Sequence, residues 1–545
     1  MTKKVADSAS KQKQHKRYPG CVKNFYDYFS EYSSNSSIHG IKYIGEKNRS
    51  LVERLWWLIV FVGSLYMCIY MIIKTYEKWQ MSPVIVSFAK SPTPVWEIPF
   101  PAVTICSETK TRRTVFNFTD VYTRSDTNNI TDDENSKLES ISLVCDNHLR
   151  PIGNDSISYG TLDFLANVAP SFEQVFYECR WMNQVKDCKQ LFTPTLSEEG
   201  ICFTFNMLDR EELFTNAVFQ IGDYLNHGIK STNWTLEDGY PYELGKDTFP
   251  IRAISAGQGA GLSVLLRAYE EDLDYVCRGP VQGFKVLLHH PADVPRVSQQ
   301  YFRAPLNQEI VVAIKPDMMT TSDGLKDYHP HRRQCYFPSE RQLKFYKVYT
   351  QQNCEIECLT NFTLHRCGCV SHYMPHKKHT AICGAGKTIC VHTALVTLLT
   401  EEVEKHIDKS LGEDVKGGHE ECDCLPACTS LTYNSENSQA DFNWPKVFDA
   451  NKTNFKGLTG AKLTGMTMFF KEMQFITSER NELYGPTDFL ANCGGLLGLF
   501  MGFSFLSFIE ILYFLSLRLM CNLKNYGHHY WSGSRELIES SQYDH

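Results

Sequence analysis

The chain has 545 residues, a net charge of −7 and 43% hydrophobic residues, enough to bury a large core or hold two or three domains. Two long apolar runs, one without a charge and one with a single carboxylate, lie near its ends, and the polar stretch between them excludes a chain embedded in lipid throughout. The acidic balance disfavours nucleic acid as a partner.

In chain order, residues 1–37 are rich in Lys and Ser and read as mobile. The first apolar run, Leu55 to Ile73, has 19 residues and covers roughly 28 Å as a helix, close to the thickness of a bilayer core. It is too long for a signal peptide and lies behind 54 polar residues. Those 54 residues hold 11 Lys/Arg against 5 Asp/Glu, which places them in the cytoplasm. A second run, Leu496 to Leu517, is broken only by Glu510 and returns the C-terminus to the same side.

The long middle is then extracellular, at the plasma membrane, with both termini cytoplasmic. Sixteen of the 20 cysteines fall there: Cys106, Cys145, Cys179, Cys188, Cys202, Cys277, Cys335, Cys354, Cys358, Cys367, Cys369, Cys383, Cys390, Cys422, Cys424 and Cys428. An oxidising compartment allows them up to eight disulfides, in pairings the spacing does not fix. Six N-x-S/T sequons share the stretch, at Asn117, Asn129, Asn154, Asn233, Asn361 and Asn451, whereas those at Asn35 and Asn48 face the cytosol. Taking the +6 of residues 1–54 and the −1 of residues 496–545 from −7 leaves −12 for residues 74–495. Such a surface concentrates cations and repels anions, although solubility also calls for charge.

Within this stretch "WEIPFPAVTIC" enters a strand, and residues 107–200 are loop-rich with short helical patterns. "GLSVLLRAY", "GFKVLLHH" and "YFRAPLNQEIVVAIKPDMM" read as strands, and "AKLTGMTMFFKEMQFITSER" as a strand returning to the membrane. Between Cys335 and Cys428, ten cysteines must staple a segment poor in apolar runs. "GAGKT" (Gly384 to Thr388) lacks the first glycine of a phosphate loop and lies where no strand-to-helix turn is expected. His376 and His379 read as solvated surface residues, and the CGC and CDC pairs are too close for zinc knuckles. No constellation argues for an enzyme, a metal site or a cofactor.

The second run carries unusual chemistry. A mid-membrane carboxylate costs about 2.5–3.5 kcal/mol and faces a bundle interior or water. Ser504, Ser507 and Glu510 recur every three residues as one polar stripe, and Gly495, Gly498 and Gly502 form another. Small residues there permit close helix approach, or a break where carbonyls turn into a pore. One stripe encloses a passage only when symmetry-related copies surround it, making Glu510 a ring that favours cations. A doubly anchored scavenger-receptor-like protein without a pore shares the topology but needs no such stripe. An ATP-gated trimeric channel shares it too, but uses fewer cysteines and a basic nucleotide site.

Several motifs resemble the degenerin/epithelial sodium channel superfamily over nearly the whole chain. They are "GGLLGLFMGFS", the His39–Gly40 pair in "SSIHGIKYI", "FPAVTIC" from Phe100, "YTQQNCEIECLTNFTLHRCGC" and "CDCLPAC". "HGIKYI" with "WEIPFPAVTIC" looks closest to the insect pickpocket branch. The resemblance implies two transmembrane helices flanking a large disulfide-rich α+β ectodomain of palm, thumb and finger type, in a trimeric channel. It implies a homotrimer or heterotrimer in the bilayer that prefers sodium ions, is sensitive to amiloride, and opens to an extracellular or mechanical stimulus in sensory or epithelial cells. It places the selectivity filter at Gly502, Phe503 and Ser504 and the pore lining at Ser507, Glu510 and Gly498. Gating falls to His39, Gly40, Ala491 and Asn492. The implied domains are 1–54 (cytoplasmic), 55–73 (first span), 74–488 (extracellular), 489–518 (pre-pore and second span) and 519–545 (cytoplasmic).

Overall fold

A computed structural model describes residues 20–533, apart from 48, 82–83, 128, 146–152, 220–221, 233, 242–244, 246–247, 412–421 and 452–457. The chain divides into two compact units, residues 1–85 with 482–545, and residues 86–481. The sequon residues Asn48 and Asn233 lie outside the described residues.

In the first unit, Leu51–Met81 forms one helix. It overruns the apolar run 55–73 at both ends, because the flanking residues are good helix formers and neither Gly nor Pro interrupts them. Trp79 stacks on Phe489 with ring centroids 5.2 Å apart, joining the C-terminal end of this helix to the second apolar segment. The expectation of a mobile N-terminus fails for Cys21–Asn35, which is helical. That helix buries Asn24, Ser30 and Ser33 rather than an apolar stripe, so hydrophobic periodicity does not reveal it. Its polar contacts are specific: Ser30 Oγ donates to the Gly45 carbonyl at 2.9 Å and Asn24 Nδ2 to the His529 carbonyl at 2.8 Å.

The second unit is built on two sheets. In the larger, Gln308–Thr321 pairs along its length with Ser430–Asp441, antiparallel, and on its other side runs parallel to Ala461–Phe470. Leu262–Tyr269 and Phe176–Trp181 follow in order. Leu262–Tyr269 alternates strictly between buried and half-buried residues, as a strand covered on one face should. The second sheet has five strands with Ala102–Ser107 at its centre, between Gly283–His289 and Gly200–Phe205. Gly283–His289 is buried at every position, Lys285 and His289 included, which explains why its apolar residues do not alternate with polar ones. Phe100 joins the two sheets, with ring centroids 5.1 Å from Trp181, 6.1 Å from Phe205 and 5.3 Å from Phe470.

All sixteen cysteines of this unit are paired: 106–202, 145–277, 179–188, 335–428, 354–424, 358–422, 367–390 and 369–383. Two helices, Gln351–Cys367 and Thr388–Leu411, lie in the cysteine-dense stretch and are joined by Cys367–Cys390. Of the sequon residues, Asn129 and Asn154 are exposed and Asn361 is half-buried on the Gln351–Cys367 helix. Asn117 caps the helix Phe118–Ser125 by accepting from the Asp120 N–H, and Asn451 ends the helix Trp444–Asn451.

Two local expectations are corrected. "GAGKT" does lie between a strand, Ile382–Cys383, and a helix, Thr388–Leu411. It is no phosphate cradle, because its amides are already bonded: Gly384 N–H to the Asp155 carbonyl at 3.0 Å and Gly386 N–H to the Asn154 carbonyl at 3.2 Å. His376 is buried rather than solvated, with Nδ1 2.8 Å from the Met374 carbonyl.

Candidate functional site

The second apolar run is two helices, Pro486–Met501 and Phe505–Tyr513, with the second continuing through a π-helical turn, Phe514–Arg518, to Tyr526. The break is written in three residues. Gly502 takes φ +64°, the left-handed conformation that ends a helix at little cost only for glycine. Its N–H reaches the Gly498 carbonyl at 2.9 Å, and the Phe503 N–H reaches Leu497 at 3.2 Å. Ser504 is extended and caps the next helix: its Oγ accepts from the Ser507 N–H at 3.2 Å, and its own N–H donates to Ser507 Oγ at 3.1 Å. Gly-x-Ser is thus a helix stop followed by a helix start.

Such a break orphans carbonyls. The Met501 carbonyl is taken by the His39 N–H at 3.0 Å. The approach is close enough that a Cβ on Gly502 would fall 2.4 Å from His39 Nδ1. Gly40, at φ +88°, turns the chain away into the short helix Ile41–Gly45, and a Cβ there would meet the Phe61 ring of the first span at 3.6 Å. Tyr43 of that short helix stacks on Trp57 with ring centroids 4.4 Å apart. The His39–Gly40 segment is therefore clamped between the first span and the broken second one.

Just before it, Ser37 occupies the polar stripe. Its N–H and Oγ donate to Glu510 Oε2 at 3.1 and 2.9 Å, and its Oγ lies 2.7 Å from Ser507 Oγ. Of the expected lining, Ser504 is exposed, and the Ser507 side chain is 1% exposed, covered by the chain's own N-terminal segment. Glu510 is half-buried with Ser37 as its partner. Gly498 and Ala491 are exposed on the first half-helix, Pro486–Met501. Asn492 is occupied, its Nδ2 donating to Tyr484 Oη at 2.7 Å and to the Asp488 carbonyl at 2.8 Å.

Sequence reasoning missed Ser37 and a second clamp beneath it. Tyr28 Oη donates to the Phe514 carbonyl at the π-helical turn, and the Tyr32 ring lies 5.3 Å from that of Phe514. Glu31 accepts from Arg518 Nη2 at 2.6 Å, Ser532 Oγ at 2.8 Å and the Gly533 N–H at 3.0 Å. Burial pushes the Glu31 carboxyl up, but these donors outweigh it and hold it below the usual carboxylate range. The only signal in the sequence is a run of polar residues before His-Gly, which looks like a linker. Among the described residues no group of three His, Cys, Asp or Glu could hold a metal ion.

A family model described as "Amiloride-sensitive sodium channel" matches residues 32–514. Pickpocket protein 28 of Drosophila melanogaster is 30% identical over 507 residues, covering 90% of this chain and 78% of that one. Sodium channel protein Nach of the same species is 24% identical over 522 residues, covering 91% and 88%. Human acid-sensing ion channel 2 is 21% identical over 508 residues, covering 88% and 84%. A solved proton-activated chloride channel aligns at 6% identity with a TM-score of 0.28, covering 85% and 96%, a likeness too distant to bear on the fold. The match replaces the pore-less scavenger-receptor reading: with a glycine-serine break clamped by its own N-terminal segment, the chain belongs to the amiloride-sensitive sodium channel family, whose members are ion channel subunits and not enzymes.

Proposed function

We propose that this chain is a subunit of a sodium-preferring, amiloride-sensitive plasma-membrane channel, a homotrimer or a heterotrimer with related subunits. Both termini are cytoplasmic, and residues 86–481 face outward with glycans on their sequons. The observation that carries this reading is the break at Gly502–Phe503–Ser504, held open by the bond from His39 to the Met501 carbonyl. A helix stop and restart exposes carbonyls and a serine hydroxyl at one level, and three copies make a ring narrow enough to strip water from an ion. Below the ring Glu510 attracts cations, with Ser37 in the place expected of Ser507.

Gating works through the same clamp. An extracellular or mechanical stimulus in a sensory or epithelial cell that moves the outer half-helix, carrying Ala491 and Asn492, must shift Met501 against His39 and Gly40. Recording from cells expressing the chain alone and with co-subunits tests this. Sodium current blocked by amiloride is expected, with the reversal potential shifted by Ser504→Cys or Gly502→Arg; unchanged selectivity in both overturns the filter assignment. Ala491→Val is expected to leave a standing current, and an unchanged resting conductance overturns that role.

A further inference from the structure

The strand Ala461–Phe470 turns through residues 471–473 into Gln474–Phe475, which pairs with Thr93–Pro94. The Met473 carbonyl accepts from the Val95 N–H at 3.0 Å. This turn therefore ties together the stretches by which the chain enters and leaves residues 86–481.

The Met473 side chain carries a second tie. The Ala256 N–H donates to its Sδ at 3.1 Å, and the Ser255 hydroxyl does so at 3.4 Å. A thioether is a weak acceptor, yet here it holds residues 255–256 to the turn. Met473 is also 43% exposed, alone among the described methionines of residues 86–481. Met318 and Met319 are half-buried, and Met466 and Met468 are buried.

Sulfur differs from oxygen acceptors in being open to oxidation, and its two donors here are unequal. The Ala256 N–H is fixed by its backbone, because the next amide, Gly257 N–H, donates to the Phe470 carbonyl at 2.9 Å. The Ser255 hydroxyl has a second acceptor, the Ala256 carbonyl at 3.4 Å. It can rotate away and uncover one sulfur lone pair while the other stays covered.

We propose that Met473 is a reversible oxidation site for hydrogen peroxide, and that its sulfoxide releases the Ala256 N–H from the turn. One peroxide oxygen adds to the lone pair on the Ser255 side. The S–O bond forms, the O–O bond breaks, sulfur is oxidised by two electrons, and the second oxygen leaves as water with both protons. The sulfur then carries partial positive charge and stops accepting from Ala256, while the new oxygen takes the Ser255 hydroxyl. Because the Ala256 side is covered, a single sulfoxide epimer forms.

Hydrogen peroxide added to the full-length protein in lipid nanodiscs, followed by peptide mapping and amide hydrogen exchange, tests this without measuring conduction, so the channel reading stands or falls separately. Sulfoxide at Met473 is expected to form roughly tenfold faster than at Met318 or Met319, following exposure. Only one of the two epimer-specific methionine sulfoxide reductases should reverse it. Exchange at the Ala256 amide should rise roughly fivefold on oxidation, for one neutral hydrogen bond lost, while exchange at Gly257 stays unchanged. Met473→Leu, which nearly keeps the volume, should show the fast Ala256 exchange without peroxide and no further rise with it. Equal oxidation of the three methionines, equal reversal by both reductases, or Ala256 exchange that ignores oxidation overturns the proposal.

Discussion

The His39 backbone N–H donates to the Met501 carbonyl at 3.0 Å, across 462 positions of sequence, and the His39 ring fills the space a side chain at residue 502 would need. A carbonyl freed by the helix break and the turn at His39–Gly40 thus satisfy one another, which couples the N-terminal segment to the break in the second apolar segment.

Gly502→Ala should abolish sodium selectivity while leaving the protein at the cell surface. The left-handed backbone costs about 1–2 kcal/mol for a residue with a Cβ, and that Cβ falls 2.4 Å from His39 Nδ1. Adding His39→Ala removes the collision but not the backbone cost, so partial recovery is expected. Reversal potentials with surface biotinylation check this; wild-type selectivity in the single variant would contradict it.

Ser37 and Glu510 should be energetically coupled. The bonds at 2.9 and 3.1 Å join a hydroxyl and an N–H to a carboxylate, and bonds to charged groups are worth about 1.5–3 kcal/mol. A double-mutant cycle of Ser37→Ala and Glu510→Gln, read as the free energy of opening, should show clear non-additivity. Strict additivity would mean the contact does not survive in the working channel.

Stability of the unit formed by residues 86–481 should fall in mild acid. Burial holds His289 down at about 4, His290 at about 3 and His372 at about 4. Unfolded histidines titrate near 6.5, so between pH 6.5 and 4 the unfolded chain binds more protons. Each such group contributes stability above pH 6.5 that is lost as pH falls, by about 1.4 kcal/mol per pH unit. Asp293, raised to about 6 by burial, acts in the opposite sense below that pH. Melting curves from pH 7.5 down should therefore flatten for His372→Gln and steepen for Asp293→Asn; parallel curves for both would contradict the assignments.

Cys145→Ser should destabilise the small helical cluster around Ile141 and Leu162, which the bridge to Cys277 ties in over a separation of 132 residues. Loss of such a bridge costs about 2–5 kcal/mol. Lower surface expression, with reversal potential unchanged in the channels that remain, is expected. An altered reversal potential would mean the cluster reaches the ion pathway.

The sequence by itself determined the two apolar segments and the even count of cysteines between them, and it offered a break near Gly502–Ser504 as one of two readings. Length without charge, an even cysteine count and the backbone preferences of glycine and serine are local properties. Most sheet strands were legible for the same reason, since Leu262–Tyr269 carries its own period-two pattern. Tertiary structure alone decided which cysteines pair, that Cys21–Asn35 is a helix, and that Ser37 lies over Ser507 and Glu510. Those outcomes depend on hydrogen bonds between polar side chains hundreds of residues apart. A hydroxyl that grips a distant carboxylate looks, along the chain, the same as one that faces water.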